Sequence, residues 1–384
     1  MRRTFLVLLI VLTACTMATP APTVTAPPPI ATLAPTATPA PTVTPLPPTP
    51  LPPQLAVRDY ASGAVNFVPV TSVLDPQTHF GGLLPRAAVV EREVFFLDYG
   101  NPPFIKAATT EGMRELSWSN EYPQTTLGRL SQELIWSVPP QNFTDGGTEL
   151  RATTLDGAST RMVLRLTLSA DVAPFEPLFA RAANDGQDFF FSLGPYGIGG
   201  YILFGGASSL YRYNTASQTA TELIPFGWNG KYLCLDDLSP DETRVAHHCD
   251  DDRDHFHVIT LNGAQIAGSI DVYFPKELLG VAQIWGNARF SGDGARVAYA
   301  LALGNPEAEQ SWVAMSVNEN LSGNTDSKVI ATSEVGSYFT VLGWLNADTV
   351  LLQNYGKTPT VWSVSVVSGA LTQLAEGEFL ALVR

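Results

Sequence analysis

Residues His247–His257 read HHCDDDRDHFH, four of the chain's five histidines beside four aspartates and one of its three cysteines. Imidazole and thiolate groups in this density suit Zn²⁺ or Cu²⁺, whereas the clustered carboxylates suit Ca²⁺ through oxygen. Against both stands an ordinary connector, in which aspartates bond nearby backbone amides. The choice between them depends on the elements that carry the segment.

Upstream, the stretch YLCLDDL and the run Arg244–Cys249 read as two strands joined at Ser239-Pro240-Asp241-Glu242. A two-residue hairpin loop at Asp241-Glu242 sets Cys234 opposite Cys249. Opposed Cβ atoms in an antiparallel pair lie ~4.5–5.5 Å apart, so a modest adjustment reaches the ~3.8 Å of a disulfide. A Cys234–Cys249 disulfide is therefore expected if the chain is exported, since export exposes it to an oxidising compartment. A second turn near Asp252 sets His247 opposite His257 and Cys249 opposite His255. Side chains alternate between faces along a strand, so His247, His255 and His257 share one face and are the candidate metal ligands. With Cys249 engaged in a disulfide, the favoured reading of the segment is a structural connector. No cofactor is called for.

The segment belongs to a repeat. Short β-branched and aromatic runs alternate with Gly, Asp, Asn and Pro throughout, the pattern of an all-β chain. Tyr232–Ile270 is the clearest unit. Ile284–Val317 repeats it with Ser291-Gly292-Asp293-Gly294 at the same turn, and Val341–Leu374 with Asn346-Ala347-Asp348. Weaker units precede them. Taking Ile105, Leu150, Leu210, Phe256, Trp312 and Trp362 as third-strand markers gives spacings of 45, 60, 46, 56 and 50 residues. Four-stranded units take ~40–50 residues, so six are visible, with Ala64–Val70 left over as a candidate for a seventh. The terminal run Glu378–Arg384 is a strand with nothing after it. It is expected to complete the first unit and so remove an exposed edge.

The turns SPDE and SGDG, the strands RVAH and RVAY, the loop CDDDRDH and the strand FHVITLNG resemble the repeat of TolB-type β-propellers, relatives of the WD repeat. The resemblance is firm over the C-terminal half of the chain. It implies a propeller of four-stranded antiparallel blades over residues 54–384, with six blades expected and seven as the alternative.

The N-terminus addresses export. Met1-Arg2-Arg3 is followed by an apolar run from Phe5 to Leu12, less than half the ~20 residues that span a bilayer but right for a secretory signal. The run ends in Leu12-Thr13-Ala14-Cys15, which resembles the lipobox of bacterial lipoproteins. That resemblance implies removal of residues 1–14 and a lipid on Cys15, each buried methylene contributing ~0.8 kcal/mol of membrane affinity. Residues 15–53 hold fourteen of the chain's 30 prolines, ten threonines and no charge. Proline blocks helix and sheet alike, so this stretch reads as an extended spacer of ~3.1 Å per residue.

The chain carries a formal charge of −14, against nucleic-acid binding and against contact of the body with an anionic bilayer. No Gly-x-Ser-x-Gly elbow occurs, and the glycines Gly197–Gly200 and Gly205-Gly206 are not followed by Lys-Ser/Thr or a helix pattern, as a phosphate loop requires. The expectation is a monomeric, non-enzymatic module, held to the membrane through Cys15 and binding an envelope or extracellular protein or glycan. The alternative is an exported lyase or hydrolase acting on carbohydrate in the propeller channel.

Overall fold

The computed structural model describes residues 52–384, apart from 72–73, 75–77, 99–103, 117–125, 139–146, 168–174, 196–202, 205, 227–234, 249–253 and 319. Cys15, Cys234, Cys249 and almost all of the Pro/Thr-rich stretch lie outside the described residues.

Among the described residues the strands form seven antiparallel sheets. The first holds β1 (Gln54–Arg58) and β2 (Val65–Pro69), and its remaining strand comes from the other end of the chain. The second holds β3 (Ala87–Val90), β4 (Glu93–Asp98), β5 (Phe104–Thr109) and β6 (Gly112–Glu115). The third holds β7 (Leu127–Leu130), β8 (Glu133–Val138), β9 (Gly147–Thr154) and β10 (Thr160–Thr167). The fourth holds β11 (Phe175–Ala182), β12 (Phe189–Pro195), β13 (Leu210–Asn214) and β14 (Thr219–Ile224). The fifth holds β15 (Leu235–Leu238), β16 (Arg244–His247), β17 (His255–Asn262) and β18 (Gln265–Tyr273). The sixth holds β19 (Ile284–Phe290), β20 (Val297–Ala302), β21 (Ser311–Ser316) and β22 (Ser327–Thr332). The seventh holds β23 (Tyr338–Asn346), β24 (Thr349–Tyr355), β25 (Thr360–Ser365) and β26 (Leu371–Glu376). The C-terminal β27 (Glu378–Val383) completes the first sheet in the order β2-β1-β27. All six third-strand markers fall on third strands.

The expected blade count is corrected from six to seven. The second sheet has its own innermost strand in β3. The terminal strand closes a separate sheet with β1, whose partners run from Gln54↔Val383 to Arg58↔Glu378. Strand β2 supplies the leftover Ala64–Val70. This sheet escaped the repeat count because it lacks the Ser-x-Asp turn and is assembled from both ends of the chain.

Packing shows why the ring must close. Each sheet presents an apolar face to the next. Tyr213 and Phe179 pack between the third and fourth sheets, Phe290 and Tyr299 between the fifth and sixth, and Trp344 between the sixth and seventh. Ala56, Val94, Ala381 and Val383 form the last such seam, between the first and second. The innermost strands touch one another around the ring, as β27 with β3, β3 with β7, β7 with β11, β15 with β19 and β19 with β23. An isolated sheet would leave two apolar faces in water. Seven in a ring leave none.

The repeated turn explains its own sequence. Ser239 Oγ donates to Asp241 Oδ1 at 2.5 Å and accepts from the Arg244 amide at 2.9 Å, while the Thr243 amide donates to Asp241 at 3.2 Å. Ser291, Asp293, Ala295 and Arg296 build the same network at 2.6, 2.9 and 2.9 Å. The fourth turn residue sits at φ +62° in Glu242 and +68° in Gly294, the left-handed region that glycine enters without cost. The arginine that follows reaches the next sheet. Arg244 lies 6.0 Å over the Phe290 ring and Arg296 5.0 Å over the Trp344 ring.

Candidate functional site

The channel is threaded. After β2 the first sheet has no fourth strand among the described residues, and residues 78–86 bond instead to innermost strands on several sides of the ring. Thr78 Oγ1 donates to Leu345 O and the Trp344 amide to His79 O, at 2.9 and 3.0 Å, both on β23. The Leu83 amide donates to Asp236 O on β15 at 3.2 Å, and the Leu127 amide of β7 to Pro85 O at 2.9 Å. Phe80 stacks on Phe379 of β27 at 5.6 Å. A segment held from so many directions lies along the channel axis. Glycine permits the fit. A Cβ on Gly343 would stand 2.5 Å from His79 O, and one on Gly81 2.3 Å from Asp237 Oδ1.

Two buried acids anchor this segment. Strand β15 reads LDDL and is buried at every position, an unusual place for carboxylates unless each is paired. Asp237 accepts from His79 Nε2 at 3.1 and 3.2 Å and from the amides of Gly82, Leu238 and Phe290 at 3.1, 3.0 and 3.0 Å. Burial pushes its pKa up, but the His79 charge and hydrogen bond, Arg289 and the Phe290 amide outweigh it, so the carboxyl is held below its ordinary value. Asp236 Oδ2 accepts from His248 Nδ1 at 2.9 Å and the Ala288 amide at 3.0 Å. Its Oδ1 and the Nε of Arg289 are buried with no hydrogen-bond partner among the described residues.

Beside the threaded segment lies a cavity of about 730 Å³. Tyr338 opens β23, Tyr355 closes β24 and Glu378 opens β27, so these residues mark the end of the ring where innermost strands begin. There the cavity meets three tyrosines. Tyr338 and Tyr355 stack at 5.2 Å, and Tyr60, 59% exposed, stands with its ring 5.6 Å from the Arg58 guanidinium. Burial pushes the hydroxyls of Tyr338 and Tyr355 up, with Tyr60 adding to the first and Glu378 to the second. Both therefore stay neutral donors. Arg86, Asn287, Arg289 and Glu378 add polar groups to the same wall.

Of the opening cluster, His248 thus meets the innermost strand, whereas His247 lies on β16 and His255 and His257 on β17, outward of it in the fifth sheet. His247 pairs with His257 across β16 and β17, the register the sequence implies, with ring centroids 6.3 Å apart. The His255 ring meets His257 edge-on at 4.9 Å. Among the described residues, the group whose ligand atoms converge within 4.8 Å of one another is His255, His257 and Asp271. Asp271 on β18 was not among the sequence candidates. The cysteine pairing rests on a register that holds at Leu238↔Val245 and Asp237↔Ala246, then shifts by one residue so that Leu235 faces His247.

Sequence reasoning also missed His79, Asp236, Asp237 and Arg289. A signal existed for two of them: consecutive acids inside an apolar strand must find partners. Nothing local marked His79, which meets Asp237 only through the threading.

No protein-family model matches the chain. No curated protein matches it. Solved structures do. An oligogalacturonate lyase in complex with manganese aligns at 13% identity over 85% of each chain, with a TM-score of 0.51. The fold is a seven-bladed β-propeller. An oligogalacturonate lyase from Vibrio parahaemolyticus aligns at 8% identity over 84% of each chain, with a TM-score of 0.43. Prolyl oligopeptidase B from Galerina marginata aligns at 9% identity over 76% of this chain and 41% of that one, with a TM-score of 0.47. At these identities the propeller likeness is one of architecture, and architecture does not name a ligand.

Proposed function

We propose that this chain is an exported propeller, tethered by lipid on Cys15 through its Pro/Thr-rich spacer, that binds carbohydrate at the channel mouth without transforming it. The observation that carries the reading is the mouth itself. Stacked Tyr338 and Tyr355, with Tyr60 opposite Arg58, offer flat apolar faces to sugar rings beside neutral and charged hydrogen-bonding groups. Pockets of ~300–1,000 Å³ with this mixture are typical small-ligand sites. Meanwhile Asp237 is committed to four donors and its carboxyl is held below its ordinary value, which makes it a weak base. The Ser-x-Asp turns support placing the domain among TolB-type propellers.

The test is calorimetric titration of the chain with envelope and plant-wall oligosaccharides. Saturable binding that weakens in Tyr338→Ala, with sugar recovered unchanged, supports the reading; absence of binding across the panel sinks it. Replacing Cys15 by Ser should release the protein from the membrane fraction. Retention there would refute the tether.

One observation favours a second reading, a lyase or hydrolase in the channel. The unpartnered Asp236 Oδ1 and Arg289 Nε lie among buried groups whose residues line the cavity. New reducing ends or unsaturated products from oligogalacturonides, lost in Asp236→Asn, would decide for it.

A further inference from the structure

We propose that His255, His257 and Asp271 form a binding site for a divalent transition metal, with Zn²⁺ the ion their chemistry fits best. None of the three lines the channel cavity, so the site stands apart from the carbohydrate reading.

The geometry centres on one oxygen. Asp271 Oδ1 lies 2.9 Å from His257 Nδ1 and 3.9 Å from His255 Nε2. Two ligands each ~2.1 Å from a tetrahedral Zn²⁺ stand about 3.4 Å apart. The observed separations bracket that value, so small rotations of the rings admit an ion. Two imidazoles and one carboxylate make a borderline N/O set that suits Zn²⁺. Calcium and magnesium, which take oxygen ligands, are poorly served.

The supporting shell is also in place. His255 Nδ1 lies 2.8 Å from Asp254 Oδ1, which fixes the ring and directs Nε2 toward Asp271. Asn324 Nδ2 and the Tyr273 hydroxyl donate to Asp271 Oδ2 at 3.2 and 3.4 Å, leaving Oδ1 turned toward the histidines. A carboxylate behind a ligating histidine and donors behind a ligating carboxylate are the usual means of orienting a metal set. The three candidate ligands lie on paired strands. Strands β17 and β18 pair from His255↔Tyr273 to Asn262↔Gln265, and a bridge from Val272 to Thr325 ties them to the connector between β21 and β22. Among the described residues three ligands converge, and a tetrahedral ion takes one more donor.

The experiment strips the full chain with chelator and titrates it with Zn²⁺ alone, reading stoichiometry by plasma mass spectrometry and affinity by calorimetry. One Zn²⁺ per chain is expected, with affinity falling at least ~10-fold in His255→Gln, His257→Gln and Asp271→Asn. Co²⁺ in place of Zn²⁺ should give the visible bands of a four-coordinate site. Should a ligand variant fail to fold in chelator, Asp254→Asn, which touches the set through His255, carries the same comparison with a fall of ~10-fold. Substoichiometric Zn²⁺, or binding equally tight in all the variants, would overturn the proposal.

Discussion

His79 and Asp237 stand 158 residues apart in the chain, and His79 Nε2 lies within 3.2 Å of both carboxylate oxygens. The pair pins the channel segment to the innermost strand of the fifth sheet. Removing one partner leaves the other buried and uncompensated, so Asp237→Ala should lower unfolding free energy by ~3–5 kcal/mol. Gly81→Ala should act in the same direction by driving a methyl between the two groups. Denaturant unfolding of both variants checks this.

Acid should unpick the same anchor. The folded pKa of Asp237 lies below its ordinary value, so its contribution is complete above about pH 4 and is lost as pH falls through the folded pKa. Asp241 and Asp293 shift in the same direction. Burial opposes the shift in each, and hydrogen bonds from Ser239 and Thr243, or from Ser291 and the Ala295 amide, outweigh it. Melting temperature should therefore fall steeply below about pH 4, and the fall should be shallower in an Asp241→Asn/Asp293→Asn background. A pH series of thermal melts decides the matter.

The hydroxyl of each turn serine donates to the turn aspartate and accepts from an arginine amide. Ser291→Ala should cost ~1–2 kcal/mol by removing the acceptor for the Arg296 amide and the donor to Asp293. Ser291→Thr should recover part of that loss. Stabilities measured side by side test the pair.

Arg296 over Trp344 offers an optical handle. The ring is buried and the guanidinium is desolvated on one side, so Arg296→Ala should cost ~1–2 kcal/mol and shift the emission of Trp344. A change in stability without any change in fluorescence would contradict this placement.

Closure depends on the six residues of β27. Deleting Glu378–Arg384 uncovers the edge of β1 and opens the seams that hold Ala56, Val94 and Val383. Such a chain should aggregate, since an unpaired strand edge recruits others. Size-exclusion chromatography against the full chain gives the outcome.

Much of this was legible beforehand, and the reasons are local. Asp241 and Asp293 fixed the hairpin turns because a short carboxylate satisfies the amides of a tight loop. A turn expected near Asp252 sets His247 opposite His257, and β16 and β17 pair in that register, because pairing along a ladder follows from where the chain reverses. The first sheet was hidden because its strands come from opposite ends of the chain.

The metal set shows where local reasoning stops. Asn262-Gly263 marks a tight turn, and counting back from it places Ile270 opposite His257. A bulge between Thr260 and Leu261 shifts the ladder by one residue and brings Asp271 there instead. A second bulge, between Leu235 and Asp237, shifts the register that leads toward Cys234. Repeat, turns and strand faces are thus consequences of sequence, since each depends on neighbours a few residues apart. Which residues meet across a bulge, and what threads the channel, are settled only when the sheets pack into a ring.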